Sequence, residues 1–295
     1  IGPQGHRATG PQGHRATGPQ GHRATGPQGH RATGPQGHRA TGPQGHRATG
    51  PQGHRATGRQ QEGLCMRYQA VIFDWAGTTV DFGSFAPMGV FVETFADFGI
   101  EVSIDEARAP MGLPKRAHIE AMLAAPRIAA AWQDTRGAAP TQADVDALYA
   151  LFVPKNETVA ARYAALVPGT VETMAALRAR GLKIGSTTGY TRSIMAHVLP
   201  VAAAQGFSPD NLVCSDDLPE GRPGPGGMLR CCAALGVDSP GALIKVDDTV
   251  PGILEGVSAG ALTVGVALSG NAVGLSVEAL AALPAAEVDS LREKA

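Results

Sequence analysis

Short apolar runs alternate with helical patterns along the C-terminal part of the chain. The runs have the length of buried strands, and in the stretches between them apolar residues recur every three or four positions. The runs are Ala70–Phe73, Leu182–Ser186, Asn211–Cys214, Ala242–Val246 and Leu262–Val266, and the helical patterns are Gly169–Arg180, Arg192–Gln205, Gly227–Leu235 and Thr249–Gly256. This alternation predicts an α/β fold with a doubly wound, Rossmann-like parallel sheet.

The stretch between the first two apolar runs contains only helical patterns. They are Phe85–Phe98, Ile104–Ala109, Lys115–Leu123, Ile128–Trp132 and Ala143–Ala164, with breaks at Pro110, Pro114, Pro126 and Pro140. We interpret residues 84–167 as a helical cap inserted into a core formed by residues 66–83 and 168–295. The hinges are predicted near Phe82–Ser84 and Val167–Gly169.

Residues 1–65 have a different character. The octapeptide Gly-Pro-Gln-Gly-His-Arg-Ala-Thr occurs seven times without variation from Gly2. It has no large apolar side chain, so it cannot offset the entropy lost on ordering. A period of eight excludes collagen, which needs glycine at every third position. We expect a disordered tail or a translated upstream stretch, with Met66 as a candidate initiator; weak metal or polyanion binding is the less favoured alternative.

Charge and cysteine content exclude several classes of function. The chain has a net charge of −1, and seven of its arginines lie in the acid-free repeats, so the remainder carries −8. An acidic domain without a basic stripe predicts no nucleic-acid partner. No apolar run reaches the length of a membrane span, and no signal peptide is recognised. Four cysteines without a Cys-x-x-Cys pair favour a cytoplasmic protein.

Polar residues follow three of the predicted strands. Asp74 ends the first, Thr187–Gly189 follows the second, and Asp247 and Asp248 follow the fourth. Open α/β sheets bind ligands at the carboxyl ends of their strands. An isolated aspartate at such a position more often caps a loop, so this pattern alone does not define a reaction.

Four motifs resemble those of the phosphonoacetaldehyde hydrolase (phosphonatase) family of the haloacid dehalogenase superfamily. They are Asp74–Asp81, Met111–Lys115, Gly185–Arg192 and Gly221–Pro223, in the family's order. The resemblance implies a haloacid dehalogenase core with an inserted cap. It also implies hydrolysis of phosphonoacetaldehyde, a small-molecule phosphonate, to acetaldehyde and phosphate in 2-aminoethylphosphonate degradation, by a homodimer.

By this resemblance Asp74 is the nucleophile that accepts the phosphoryl group, and Lys115 forms a Schiff base with the aldehyde. Met111 and Gly112 belong to the substrate-binding residues of the cap. Ala76 stands where phosphatases of the superfamily carry a second aspartate, which protonates an oxygen leaving group. A protonated imine accepts the electrons of a carbon leaving group, so such an acid is not needed.

The remaining motif residues take supporting roles by the same resemblance. His118, three residues after Lys115 on the same helical face, is a candidate proton shuttle. Thr188 supplies a phosphate-binding hydroxyl and Gly189 an amide, while Tyr190 lies near the lysine. Arg222 holds both the nucleophile and the phosphate through its forked guanidinium.

A magnesium site is also implied. Asp248 matches the metal-binding acid of the superfamily, and Mg²⁺ would be held by Asp74, the backbone carbonyl of Ala76 and Asp248, with phosphate and water completing the octahedron. Superfamily members often carry a further acid four or five residues later, where this chain has Gly252 and Ile253. Asp247 or a water would then take the place of that acid.

Two other functions remain open from the sequence. A phosphomonoesterase or phosphomutase of the same superfamily is disfavoured by Ala76, because an alkoxide would lack its acid. A relative that binds phosphate-like ligands without turnover is favoured by Gly252, by the glycines at positions 224, 226 and 227, and by a short C-terminal segment. Turnover of phosphonoacetaldehyde and of para-nitrophenyl phosphate separates the three.

Overall fold

The core is a five-stranded parallel sheet with the strand order β3-β2-β1-β4-β5. The computed structural model describes residues 67–295, so the predicted tail of residues 1–65 lies outside the described residues. The strands are β1 (Ala70–Phe73), β2 (Lys183–Thr187), β3 (Asn211–Val213), β4 (Leu243–Asp247) and β5 (Leu262–Gly265). All five predicted strands are confirmed.

Helices cover both faces of this sheet, as a doubly wound fold requires. The core helices that follow the cap are α6 (Thr170–Ala179), α7 (Arg192–Ala204), α8 (Gly226–Ala234) and α9 (Val250–Ala259). Val71 and Phe73 pack with residues of α6 and α7, whereas Ala70 and Ile72 pack with residues of α8. Successive residues of β1 point to opposite faces, so a strand that is apolar throughout is buried from both sides.

Six helices lie between β1 and β2, and the five that precede α6 form the predicted cap. They are α1 (Ala86–Ala96), α2 (Ile104–Arg108), α3 (Lys115–Ala124), α4 (Pro126–Arg136) and α5 (Gln142–Ala160), followed by a 3₁₀ turn at Ala161–Tyr163. Their apolar side chains form a cluster separate from those of the sheet. Pro126 begins α4, where the missing N–H costs no hydrogen bond. The boundaries at residues 84 and 167 stay a prediction.

Two short helices near the C-terminus were not foreseen, α10 (Val277–Ala281) and α11 (Ala285–Lys294). Neither buries a residue, so neither has the buried apolar face that the core helices show. Ser276 caps α10 by accepting a hydrogen bond from the amide of Ala279. Within residues 67–295, no helix combines the length and apolar character needed to cross a bilayer.

Candidate active site

The predicted residues converge at the carboxyl edge of the sheet. Asp74 directly follows β1 and is 5% exposed, and its amide donates to the carbonyl of Val246 on the neighbouring β4. A single small cavity at this edge is lined by Asp74, Ala76, Met111, Gly112, Lys115, Thr188, Gly189, Tyr190 and Arg222, together with Thr249. Of the predicted site residues, only His118 and Asp248 are not part of this lining. Residues from the cap and from the core thus enclose one volume.

Lys115 reaches the cavity from the first turn of α3 and is only 4% exposed. Its Nζ lies 3.9 Å from Sδ of Met111, 5.0 Å from the ring centre of Tyr190 and 5.7 Å from that of Phe91. Burial lowers the pKa of Lys115 to about 8, against the opposing attraction of Asp74. About a tenth of this amine is therefore unprotonated at pH 7, far more than for an exposed lysine with a pKa of about 10.4.

His118 is fully buried behind Lys115. Its ring stacks on Phe91 at 4.0 Å between centres, and its Nε2 lies 2.8 Å from the carbonyl oxygen of Ala107. A carbonyl can only accept, so Nε2 carries the hydrogen and Nδ1 is a bare acceptor. Burial, with the positive charge of Lys115, lowers the pKa of His118 well below its usual value. The imidazole is therefore neutral, and its Nδ1 is a weak base.

Arg222 contacts Asp74 directly. Its Nη2 lies 2.7 Å from Oδ1 of Asp74 and also donates to the carbonyl of Thr187 at 3.0 Å. Thr188 presents its hydroxyl to the same cavity and accepts a hydrogen bond of 3.1 Å from the amide of Tyr190. A guanidinium and a hydroxyl thus face one carboxylate, an arrangement suited to a phosphoryl group.

Three carboxylates meet beside this cavity. Oxygens of Asp74, Asp247 and Asp248 lie within 4.8 Å of one another. Burial and the neighbouring Asp247 raise the pKa of Asp74 to about 6, and burial with both other acids raises the pKa of Asp248 well above its usual value. Asp248 is fixed by Thr78 Oγ1 at 2.9 Å and by the amide of Asn271 at 2.7 Å. The negative charge of the three carboxylates is not fully balanced by neighbouring cations. Their oxygens are donors that suit a metal ion.

Asp247 is the best neutralised of the three acids. Although burial opposes its charge, Arg222 and Lys245 lower the pKa of Asp247. A Cβ atom at Gly252 would lie 2.0 Å from Oδ2 of Asp247, so the carboxylate occupies the space of a side chain at that position. The acid that the superfamily pattern places at position 252 is absent, and Asp247 fills its volume. The sequence analysis named Asp247, or a water, as the replacement for that acid beside the predicted set of Asp74, Ala76 and Asp248.

Several residues of the site were missed by the sequence analysis. They are Phe91, Thr187, Lys245, Asn271 and Glu255. Lys245 did carry a signal, because a lysine within an otherwise apolar central strand must find a buried partner. Phe91 carried none, since its position in a helical apolar pattern is the same as that of any residue of the cap core.

Comparisons with known proteins agree with this geometry. Residues 68–260 match the family model of haloacid dehalogenase-like hydrolases. Phosphonoacetaldehyde hydrolase from Paraburkholderia phytofirmans is 56% identical over 215 residues, which cover 73% of this chain and 80% of the relative. The protein of the same name from Klebsiella pneumoniae is 50% identical over 231 residues, covering 78% and 86%.

Comparison with solved structures identifies similar proteins. A phosphonoacetaldehyde hydrolase-like protein from Oleispira antarctica is 45% identical, with a TM-score of 0.76 over 77% of this chain and 82% of that one. A predicted phosphoglycolate phosphatase from Haemophilus somnus is 20% identical with a TM-score of 0.53, which shows a common fold only. The chain therefore belongs to the haloacid dehalogenase-like hydrolases and, within them, to the phosphonoacetaldehyde hydrolase family.

Proposed function

We propose that the protein hydrolyses the carbon–phosphorus bond of phosphonoacetaldehyde to acetaldehyde and phosphate through an imine and an aspartyl phosphate. The observation that carries the proposal is a buried amine beside a buried carboxylate. Lys115 and Asp74 line the same cavity, and the pKa of Lys115 is lowered to about 8. An amine that loses its proton near neutral pH attacks an aldehyde, and the carboxylate is placed to attack phosphorus.

The imine solves the problem of the leaving group. Nζ of Lys115 adds to the aldehyde carbon, and loss of water gives a protonated imine. When the carbon–phosphorus bond breaks, its electron pair moves into this imine and the carbon leaves as an enamine. Such a group needs no proton on oxygen, which agrees with Ala76 lining the cavity two residues after Asp74.

Asp74 forms the new bond to phosphorus as the carbon–phosphorus bond breaks. Arg222, the hydroxyl of Thr188 and the amide of Gly189 hold the phosphoryl oxygens. Water then hydrolyses the aspartyl phosphate, and protonation of the enamine followed by imine hydrolysis frees acetaldehyde from Lys115. The water lost in forming the imine is regained at its hydrolysis, so each turnover consumes one water.

Two further groups support these steps. His118 is neutral and buried beside Lys115, and its Nδ1 has no hydrogen-bond partner among the described residues. Its lowered pKa makes it a weak base, so it would relay a proton rather than hold one. Mg²⁺ would be held by Asp74, Asp248 and the backbone carbonyl of Ala76, with Asp247 adjacent. Bound there, it supplies positive charge that offsets both the carboxylates and the phosphoryl group.

The cellular setting follows from the same assignment. We place the protein in the cytoplasm as a homodimer that acts in 2-aminoethylphosphonate degradation, as the family resemblance implies. Cys214, Cys231 and Cys232 are buried free thiols, which agrees with a reducing compartment.

Borohydride trapping tests the assignment of Lys115. Reduction in the presence of phosphonoacetaldehyde is expected to inactivate the enzyme and to leave a two-carbon adduct on Lys115, detected by peptide mapping. Lys155 and Lys183 are internal controls, because the first pairs with Asp97 on the surface and the second donates to the carbonyl of Leu235. An adduct on either control, or on no lysine, contradicts the proposal.

Substrate choice separates the other two functions. We expect phosphonoacetaldehyde to be turned over faster than para-nitrophenyl phosphate, because Ala76 cannot protonate an alkoxide. The opposite order would assign a phosphomonoesterase. Binding of phosphate without turnover of either compound would assign a non-catalytic relative.

A further inference from the structure

Four charged side chains are buried together behind Asp74. They are Arg222, Lys245, Asp247 and Glu255, each at most 7% exposed. Arg222 Nε donates to Glu255 Oε2 at 3.0 Å, and Lys245 Nζ lies 3.2 Å from the same oxygen. Lys245 Nζ also lies 3.0 Å from Oδ2 of Asp247. Two cations and two acids neutralise each other, so none of these charges is left unpaired in the interior.

We propose that Glu255 is a positioning residue, which fixes the guanidinium of Arg222 so that its Nη2 faces Asp74 and the phosphoryl group. This inference rests on the proposed function of the site. A guanidinium is planar, so holding Nε on one carboxylate also sets the direction of its terminal nitrogens. With Nε on Glu255, Nη2 reaches Oδ1 of Asp74 at 2.7 Å.

The hydroxyl of Thr187 completes the hydrogen-bond network among Arg222, Lys245 and Glu255. It donates to Oε2 of Glu255 at 2.8 Å and accepts from Arg222 Nη2 at 2.8 Å and from Lys245 Nζ at 2.6 Å. A hydroxyl has one hydrogen and two lone pairs, so every hydrogen-bonding position of Thr187 is used. The network therefore allows one orientation of the guanidinium of Arg222. In that orientation Glu255 contacts both cations, Arg222 and Lys245.

Gly227 provides the space that Glu255 needs. A Cβ atom at position 227 would lie 2.2 Å from Oε1 of Glu255 and 3.1 Å from Cγ2 of Thr187. The neighbouring Gly226, also in α8, would meet only ordinary contacts of 3.5 Å and more. In the sequence analysis Gly227 was one of the glycines that favoured a relative without turnover. The structure explains the glycine at position 227, because any side chain there would displace the carboxylate of Glu255, which holds Arg222.

The experiment compares Gly227→Ala with its matched control Gly226→Ala. Both add one methyl group to adjacent positions of the same helix, and neither removes a charged group. Gly227→Ala is expected to lower kcat/KM for phosphonoacetaldehyde by about a hundredfold, because small displacements of a catalytic clamp have effects of that size. It should also weaken the binding of inorganic phosphate measured by calorimetry. Gly226→Ala should leave both values near those of the wild type.

Two variants of the acid itself test whether Glu255 carries the effect. In a Glu255→Ala background the methyl group at position 227 meets no carboxylate, so the double variant should be no worse than Glu255→Ala alone. Glu255→Gln keeps the shape and one acceptor for Arg222, and should lose less than Gly227→Ala. Trapping of the imine at Lys115 should persist in every variant, whereas a general loss of structure would abolish it.

The outcomes separate this inference from the proposed function. Equal phosphate affinity and kcat/KM in the two glycine variants, or an additive loss in the double variant, would overturn the role of Glu255. So would a wild-type protein that binds no phosphate at millimolar concentration. Failure of the wild type to turn over phosphonoacetaldehyde would overturn the proposed function, while the difference in phosphate affinity would still decide the positioning role.

Discussion

The reactivity of Lys115 depends on its protonation, and its surroundings set the pH at which it reacts. Burial disfavours the ammonium, so the pKa falls to about 8 and the neutral amine increases as pH rises through that value. We expect the rate of borohydride-trapped imine formation to rise from pH 6.5 and to level off above about pH 9. An exposed lysine, with a pKa of about 10.4, would still gain reactivity at pH 10. A trapping rate that rises without levelling to pH 10 would contradict the buried environment.

Asp74 and Lys115 act on different atoms of the substrate, and a single substitution can separate them. Asp74→Asn is nearly isosteric but cannot accept the phosphoryl group, so turnover is expected to fall below about a hundredth of the wild-type rate. Imine trapping at Lys115 by peptide mapping should persist, because the amine is untouched. Turnover above that level would assign Asp74 to metal binding alone.

Among single residues, the sequence identified those that line the cavity but not those that hold them in place. Asp74, Lys115 and Arg222 stand in recognisable motifs, and the structure brings them to one cavity. Glu255 lies 33 residues along the chain from Arg222, and Lys245 lies 58 residues from Thr187, so nothing in a linear pattern joins these contacts. Their roles depend on burial and direction, which only the folded chain specifies.

Among the elements, the loop before α3 makes the closest approach between cap and core. Gly112 has a φ of 93°, and a Cβ there would lie 2.3 Å from Oγ1 of Thr249. That hydroxyl donates to Asp247 at 2.7 Å. Glycine at 112 thus allows the cap loop to approach the carboxylates.

Gly112→Ala is therefore expected to lower kcat/KM by about a hundredfold, because it forces the cap loop away from the core. Gly137→Ala is the matched control, since Gly137 ends α4 with a φ of 79° and a Cβ there meets open space. Each substitution costs about 1–2 kcal/mol of stability for the left-handed backbone. Equal kcat/KM values in the two variants, measured beside their melting curves, would show that backbone strain alone is responsible.

Element boundaries were predicted best where burial is complete. β1 is buried on both faces and its predicted bounds, Ala70–Phe73, are those of the structure. α10 and α11 bury no side chain, and no element was predicted at their residues. The predicted hinges near Phe82–Ser84 and Val167–Gly169 contain left-handed residues at Gly83, Ser84 and Gly169. Whether the cap moves about them stays a prediction.

For the whole molecule, the repeats of residues 1–65 are expected to be dispensable. They offer no large apolar side chain to a core, and their positive charge meets an acidic domain only through contacts that salt screens. Deletion of these residues should leave kcat/KM and the melting temperature essentially unchanged in assays at physiological salt. A melting temperature lower by more than a few degrees would mean that the repeats contact the domain.

Because β1 lies at the centre of the sheet, the sheet cannot form around it until later parts of the chain have been synthesised. β1 leaves the ribosome early, but both strands that pair with it, β2 and β4, follow only after the whole cap. The cap helices meanwhile have every partner of their own apolar cluster. Pairing of parallel strands that lie far apart in the sequence is slow, and an unpaired apolar strand is prone to aggregation. A nascent chain halted before β2 should therefore contain a folded cap and a protease-sensitive β1. The strand that precedes Asp74 would still lack both strands that pair with it.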